Sequence, residues 1–316
     1  MPPEQTEHFL AALRRLTGSA NNSDIPRLGL AVSGGPDSLA LLLLTHAALP
    51  GKFAAATVDH GLRPEAADEA AYVGQLCEER GIPHRMLKPA NAITGNIQAE
   101  ARKARYGLLA DWAEEEGCCW IATAHHADDQ LETLLMRLAR GSGVDGLSGI
   151  RAVNGQIIRP LLDTSKAELL EICAQAGVTA IDDPSNFDDD FDRVRMRKWL
   201  AASDSPLDAK SAVKSAGYLS QASEALDWMT AKLTAERIRH QDDAILLYSA
   251  DLPRELQRRL LHVALCEIDP DYVPRGPAIE RLLDSLTGGS TSTIGNILCQ
   301  GGAEWRFSTA PPRGPR

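Results

Sequence analysis

No two cysteines in this 316-residue chain are spaced C-x-x-C, which argues against a metal knuckle or a dithiol redox motif. The six that exist, Cys77, Cys118, Cys119, Cys173, Cys266 and Cys299, read as small packing residues in a reducing compartment. Long apolar runs are missing too. The longest, Leu39 to Leu44, is far too short to span a bilayer. The N-terminus, Met1-Pro2-Pro3-Glu4-Gln5, lacks the basic and apolar regions of a secretory signal. A soluble cytoplasmic protein with no membrane partner is expected. Positive charge is also in deficit: the net charge is −10. On its sum alone this argues against a nucleic-acid partner, because phosphate backbones are held by Lys and Arg.

Hydrophobic content of 44% and charged content of 24% are globular values. The length suits one large domain or two ordinary ones. The charges are unevenly spread. Residues 1–200 hold 20 Lys/Arg against 28 Asp/Glu, and residues 201–316 hold 13 against 15. Acidity is packed into Glu114–Glu116 and Asp182–Asp192, while Arg102–Arg105, Arg137–Arg140 and Arg193–Lys198 form basic groups. Local potential steers a polyanion more than net charge does. A basic stripe on an otherwise acidic protein is therefore expected.

From Leu28 the pattern alternates strand, turn and helix. Leu28–Val32, Phe53–Val58, Arg85–Leu87, Trp120–Thr123 and Gln156–Arg159 read as strands. The intervening stretches, and Ser165–Ala176 with its Ser-x-x-Glu capping box, read as helices. Short apolar strands of this kind imply an α/β fold with a parallel, doubly wound sheet covered on both faces. Beyond Asp190 the pattern becomes helical without evident strands, and the last forty residues are rich in Gly, Ser and Thr. The expected division is 1–200 for the α/β domain and 201–316 for a smaller, mainly helical domain. Trp112, Trp120 and Trp199 read as packing residues.

Three polar clusters follow strands: Ser33–Ser38, Asp59–Arg63 and His125–Asp129. Strand carboxyl ends share one rim of a parallel sheet, so all three are expected there. In Ser33-Gly34-Gly35-Pro36-Asp37-Ser38 two glycines let the backbone approach a ligand. The following helix N-terminus offers free N–H groups to an anion. Ser33 and Ser38 add hydroxyls. Asp37 beside a phosphate is repulsive unless a divalent cation lies between them, and Mg²⁺ is the natural choice. An ordinary glycine-rich turn with Asp37 in the first helical turn is the alternative on residue types alone.

Strand, Ser-Gly-Gly-x-Asp-Ser and helix together resemble the PP-loop of the N-type ATP pyrophosphatases. Further motifs resemble the tRNA(Ile)-lysidine synthetase family: Asp59-His60-Gly61-Leu62-Arg63, Gln98 to Tyr106, and His125-His126-Ala127-Asp128-Asp129-Gln130-Leu131-Glu132. Arg159-Pro160-Leu161-Leu162, Asp182-Asp183-Pro184-Ser185-Asn186 and Arg193-x-Arg195-x-Arg197 complete the series. Val194 stands where the family often has asparagine.

The resemblance implies an ATP- and Mg²⁺-dependent ligase. ATP would activate C2 of the wobble cytidine in the CAU anticodon of tRNA(Ile), and free L-lysine would displace AMP. Ser33, Gly34, Gly35, Pro36, Asp37 and Ser38 would hold the phosphates, with Asp37 on the metal. Backbone at Val58 and Asp59 would cradle adenine. Asp129 and Glu132, near His126, would take the lysine ammonium. Arg105, Arg193 and Arg197 would answer developing negative charge, and Arg63, Arg102, Arg105 and Arg195 would meet tRNA. The C-terminal domain would contact tRNA as well. A PP-loop tRNA thiolase is the enzymatic rival, but it needs cysteines this chain does not place. A non-catalytic nucleotide sensor is the other. Oligomeric state is open, with a homodimer among the options.

Overall fold

The computed structural model describes residues 2–59, 65–89, 97–181, 192–202, 206–272 and 276–311. The chain divides into two compact units, Met1–Ser220 and Gln221–Arg316. The division falls inside one long helix, α9 (Ala209–Arg237).

The first unit is built on a six-stranded sheet in the order β3-β2-β1-β4-β6-β5. Its strands are β1 (Leu28–Ala31), β2 (Phe53–Val58), β3 (His84–Leu87), β4 (Trp120–Ala122), β5 (Val153–Asn154) and β6 (Ile157–Ile158). All neighbours pair in parallel except β5, which runs antiparallel to β6 at the edge. The strands alternate in which face they load. Leu28, Leu30, Phe53 and Ala55 are buried with α1 (Pro3–Thr17), α2 (Pro36–Ala48), α3 (Glu65–Glu79) and α7 (Lys166–Gln175). Ala54, Ala56 and Ile121 are buried on the other side with Leu109 and Trp112 of α4 (Ile97–Glu115). Gly29 is required on that side, since a Cβ there would sit 2.7 Å from the Trp112 ring. The doubly wound α/β expectation therefore holds.

The Ser165 capping box forms as expected. Ser165 N–H and Oγ donate to Glu168 Oε2 at 2.7 and 2.6 Å, opening α7. Caps of this kind contribute about 1 kcal/mol. α5 (Ala127–Ala139) follows β4, and α8 (Asp192–Ala202) packs against it. α8 buries only Val194 among its described apolar side chains, and Trp199 stays 54% exposed. Trp112 is a core residue as expected, whereas Trp199 is not. A helix with three arginines and a lysine offers too little apolar surface to enclose an indole.

Helices predominate in the second unit: the end of α9, α10 (Arg254–Ile268) and α11 (Gly276–Thr287). A five-stranded antiparallel sheet accompanies them, which the sequence reading did not anticipate. Its order is β7 (Ile238–Gln241), β8 (Ala244–Leu247), β11 (Trp305–Thr309), β10 (Ile297–Gln300), β9 (Thr291–Ile294). The strands are four or five residues long and half-buried. Leu260, Leu265, Leu283 and Leu286 from the helices enclose Leu247, Ile297, Trp305 and Phe307 from one sheet face. Among the described residues, no helix is long and apolar enough to cross a membrane.

Candidate active site

Strand order reverses between β1 and β4, so the loops leaving their carboxyl ends diverge to opposite faces and open a crevice. Both sharp motifs lie there. After β1 the chain turns at Gly34, whose φ of +89° an L side chain rarely adopts. Gly34 O accepts from Ile181 N–H at 3.1 Å, which braces the turn from outside the loop. Ser33 N–H donates to Ser38 Oγ at 3.1 Å, and Ser38 Oγ donates to Gly35 O at 2.9 Å. Cys173 of α7 donates to Pro36 O at 3.3 Å. Ser38 is thus largely committed to holding the loop, while Ser33 is exposed. The first turn of α2 points its N–H groups into the crevice rim.

After β4 the chain passes through Thr123 to His125 and His126, and His126 is the N-cap of α5. Asp129 Oδ2 accepts from the His126 backbone N–H at 3.2 Å. The His126 ring is buried. Its Nε2 lies 3.4 Å from Asp37 Oδ2 and 3.5 Å from Asp129 Oδ2, and Nδ1 is 3.6 Å from Asp128 Oδ2. Burial opposes charge on this ring, but Asp128, Asp37 and Asp129 outweigh it and push the imidazole up to about 10. Asp128 is also spoken for, because its Oδ2 accepts from Lys166 N–H at 2.7 Å and so caps α7.

The neighbouring ring is the opposite. Burial first, then the charges of Arg159, Arg105 and Arg193, bring His125 down to about 4 despite Asp129. Its Nδ1 accepts from Arg159 Nε at 3.3 Å and lies 3.0 Å from Thr123 Oγ1. His125 is therefore neutral, with its proton on Nε2.

Glu132, one turn along α5, is only 3% exposed. Arg197 grips it with two bonds, Nε to Oε1 at 2.7 Å and Nη2 to Oε2 at 3.1 Å. Arg193 Nε stands 3.2 Å from Oε2, and its Nη2 donates to Thr133 Oγ1 at 2.9 Å. Hydrogen bonding to Glu132, and then its charge, raise the Arg197 guanidinium above its ordinary value despite burial. Both Glu132 oxygens are occupied by arginines, whereas the sequence reading gave them to a ligand ammonium.

Beside this cluster opens a cavity of about 650 Å³ lined by Arg102, Arg137, Arg151, Arg159 and Arg193, with neutral His125. Among the described residues, Asp145 is its one lining carboxylate. The chain of −10 charge thus concentrates cations at one rim, as the charge segregation led us to expect. Arg102 and Arg105 lie over the Tyr106 ring, 5.0 and 5.6 Å from its centroid. Arg137 is fixed by Gly146 O and Gly149 O at 2.5 and 2.9 Å, and Arg159 by Arg151 O at 2.6 Å. Arg137 lies in one of the expected basic groups and Arg159 opens the Arg159–Leu162 motif, whereas Arg151 belongs to neither. Arg137 is on α5, Arg151 precedes β5 and Arg159 follows β6, and the fold gathers them.

Other expected residues fall as follows. Val58 ends β2, which overshoots β1 in register by Thr57 and Val58 and leaves backbone at the rim. Asp59 is buried and paired to Lys88 Nζ at 3.1 Å. Arg195 lies on the exposed side of α8. Arg63 and the acidic run from Asp182 to Asp190 lie outside the described residues.

Mg²⁺ can be tested against this donor set. Asp37 Oδ1 is buried and has no hydrogen-bond partner. A buried, unsatisfied carboxylate oxygen at a helix N-terminus is a position a cation satisfies. Among the described residues, no group of three or more His, Cys, Asp or Glu is arranged to hold a metal by itself. Asp37 thus fits Mg²⁺ as a single carboxylate ligand, the usual arrangement when substrate phosphates and water supply the rest.

The chain matches the PP-loop domain family over residues 6–203. It is 44% identical over 296 residues to the tRNA(Ile)-lysidine synthase of Zymomonas mobilis subsp. mobilis, covering 91% of this chain and 89% of that protein. It is 44% identical over 294 residues to the tRNA(Ile)-lysidine synthase of Novosphingobium aromaticivorans, covering 90% and 89%. The solved U34-tRNA thiolase of Methanococcus maripaludis with its [4Fe-4S] cluster superposes with a TM-score of 0.55 at 19% identity. That comparison covers 69% of this chain and 80% of the thiolase, and it speaks to the fold alone. By its PP-loop, its reversed strand order and its identity to two relatives over nearly their whole lengths, this chain belongs to the tRNA(Ile)-lysidine synthase family, enzymes that modify tRNA by ATP-dependent ligation.

Proposed function

We propose that this protein ligates free L-lysine to C2 of the wobble cytidine in the CAU anticodon of tRNA(Ile), through an adenylated cytidine, in the cytoplasm. The observation that carries this reading is one of placement. The anion-binding loop at Ser33–Ser38, the Asp37/His126/Asp129 cluster and the arginine cavity meet at one strand-order reversal.

In the first step the cytidine O2 attacks the α-phosphorus of ATP. The bond from the α-phosphorus to the bridging oxygen breaks, and pyrophosphate leaves. Backbone N–H groups of Gly35, Asp37 and Ser38 bind the phosphates, and the exposed Ser33 hydroxyl adds a donor. Asp37 would hold Mg²⁺, which neutralises phosphate charge when bound. Adenine rests on the β2 backbone at Thr57 and Val58, beyond the end of β1. The arginine cavity takes the anticodon nucleotide, with Arg102 and Arg193 on its phosphate or ribose. Arg105 supports the charge around it.

In the second step the lysine ammonium gives one proton to Asp129, the freed amine lone pair bonds to C2, the second proton passes to water, and the C2–O bond breaks to release AMP. Asp129 is the carboxylate best placed for the ammonium, since Asp128 caps α7 and Glu132 is held by arginines. Asp128, Asp37 and Asp129 favour the charged form of His126, which disfavours it as a proton acceptor. It holds Asp37 and Asp129 in register instead, so we assign it positioning rather than general-base work. Glu132 likewise positions Arg193 and Arg197, whose guanidinium groups face the charge that develops on the α-phosphate as pyrophosphate leaves and again as AMP leaves. Arg63 and Arg195 are assigned to the tRNA body.

The adenylated intermediate has its own test. With tRNA(Ile) and ATP but no lysine, the protein should release up to one pyrophosphate per tRNA. No pyrophosphate without lysine would remove the two-step order.

A further inference from the structure

A second cavity, of about 400 Å³, opens between α4 and the β5–β6 hairpin. It shares Arg102, Asn154 and Arg159 with the arginine cavity, so the two have a common wall. Its size is within the range of small-ligand pockets. Ala110, Ile121 and Ile157 give it an apolar side, and the amides of Asn154 and Gln156 give it a polar one. Among the described residues, no carboxylate lines it.

Three of its side chains point to an occupant. Tyr106 Oη is buried and has no hydrogen-bond partner. The Arg105 and Arg159 guanidinium groups stand beside it. A guanidinium only donates, so the phenol proton still lacks an acceptor, and a ring nitrogen of a ligand would supply one. Asn154 is exposed where the hairpin turns at Gly155, whose φ is +56°. Beside it Gln156 Nε2 donates to Cys118 O at 3.2 Å, which fixes that amide to the sheet. Arg102, in the common wall, is exposed.

Apolar faces, polar edges and a phosphate are the chemistry of a nucleotide whose base is splayed out. Arg102 and Arg159 repel the ammonium of free lysine. The adenine of ATP belongs to the β2 side of the strand-order reversal, whereas this cavity lies on the β4–β6 side. The nucleotide within reach is the one joined to the wobble cytidine.

We propose that the second cavity reads the middle base of the anticodon, the adenine that follows the wobble cytidine. The Asn154 amide pairs with the adenine edge, the match that Asn makes to N6 and N7. Tyr106 Oη donates to another ring nitrogen, and Arg102 binds the phosphate joining the two nucleotides. This site presupposes the proposed tRNA substrate and adds a second base to what the protein reads.

The test is lysine incorporation by the full chain, wild type and Asn154→Ala, into tRNA(Ile) transcripts with A, G, C or U at the middle anticodon position. Asn154 is exposed, so its truncation removes no packing. Wild-type kcat/KM should fall roughly 5- to 150-fold when A is replaced, the discrimination of one bidentate pair. In Asn154→Ala the adenine transcript should fall toward the others through a higher KM, while the other three keep their wild-type values. Equal wild-type activity on all four transcripts overturns this site and leaves the main reading standing. So does an equal loss on all four in Asn154→Ala, or a preference for adenine that the variant retains. Wild type that adds no lysine to the adenine transcript overturns the proposed function and this site with it.

Discussion

Glu132→Gln removes one charge and keeps the shape of the side chain. In the wild type, one buried carboxylate receives two bonds from Arg197 and the Nε of Arg193. Breaking a buried ion pair by removing one partner costs about 3–5 kcal/mol. The arginines are 42% and 33% exposed, so water takes back part of that, leaving about 2–3 kcal/mol. Little else holds α8, since Val194 is its one buried apolar residue among those described. The cost should therefore appear as local release of α8 rather than global unfolding. It corresponds to a roughly 30- to 150-fold larger open population. Hydrogen exchange across residues 193–202 should accelerate by that factor, with α2 and β1 amides unchanged. Pyrophosphate release without lysine should fall tenfold or more, because Arg193 and Arg197 lose their positions. The lysine-only role predicts the reverse: full pyrophosphate release, a raised KM for lysine and unchanged exchange. That second pattern would refute the positioning assignment.

Other substitutions probe the remaining parts. Asp37→Asn should abolish Mg²⁺-dependent pyrophosphate release while circular dichroism and melting stay near wild type; retained turnover would remove Asp37 from the metal. Gly34→Ala forces a side chain onto a φ of +89° and against Ile181 at 3.3 Å, which should cost about 1–2 kcal/mol and weaken ATP binding measured by calorimetry. Burial opposes charge on Glu168, but hydrogen bonds from Ser165 and Lys210 outweigh it and bring the carboxyl down to about 2. A depressed carboxyl stabilises the fold above its unfolded value near 4.5 and loses that contribution as pH falls toward 2. Wild type and Glu168→Gln melts should thus differ most above about pH 5 and converge near pH 2.

Much of the α/β unit is legible because its strands are continuous apolar runs between Gly or Pro. Leu28-Gly29-Leu30-Ala31 and Phe53 to Val58 admit few other readings in that setting. β5 is a two-residue exposed strand, Val153–Asn154, that exists only because β6 is beside it. The second sheet escaped for a related reason. Trp305-Arg306-Phe307 alternates, but over five residues, and Ile238-Arg239-His240-Gln241 follows a 29-residue helix without a break. α11 carries Ile279, Leu282, Leu283 and Leu286 at helical spacing, yet Gly and Ser/Thr around it masked the period. At the site, Ser33–Ser38 and His125–Glu132 are local motifs and read directly. Which carboxylate meets which cation is not local. Arg197 reaches Glu132 across 65 positions, and Arg159 reaches His125 across 34. Those pairings decide whether Glu132 binds a ligand or positions an arginine.

The most direct measurement incubates the protein with ATP, Mg²⁺, labelled lysine and tRNA(Ile) bearing a CAU anticodon, then digests the tRNA and weighs its nucleosides. One lysine should enter per tRNA, attached at the wobble cytidine, with one AMP and one pyrophosphate released for each. Lysine-free tRNA under conditions where ATP binds, or label at any other nucleotide, would contradict the proposed function.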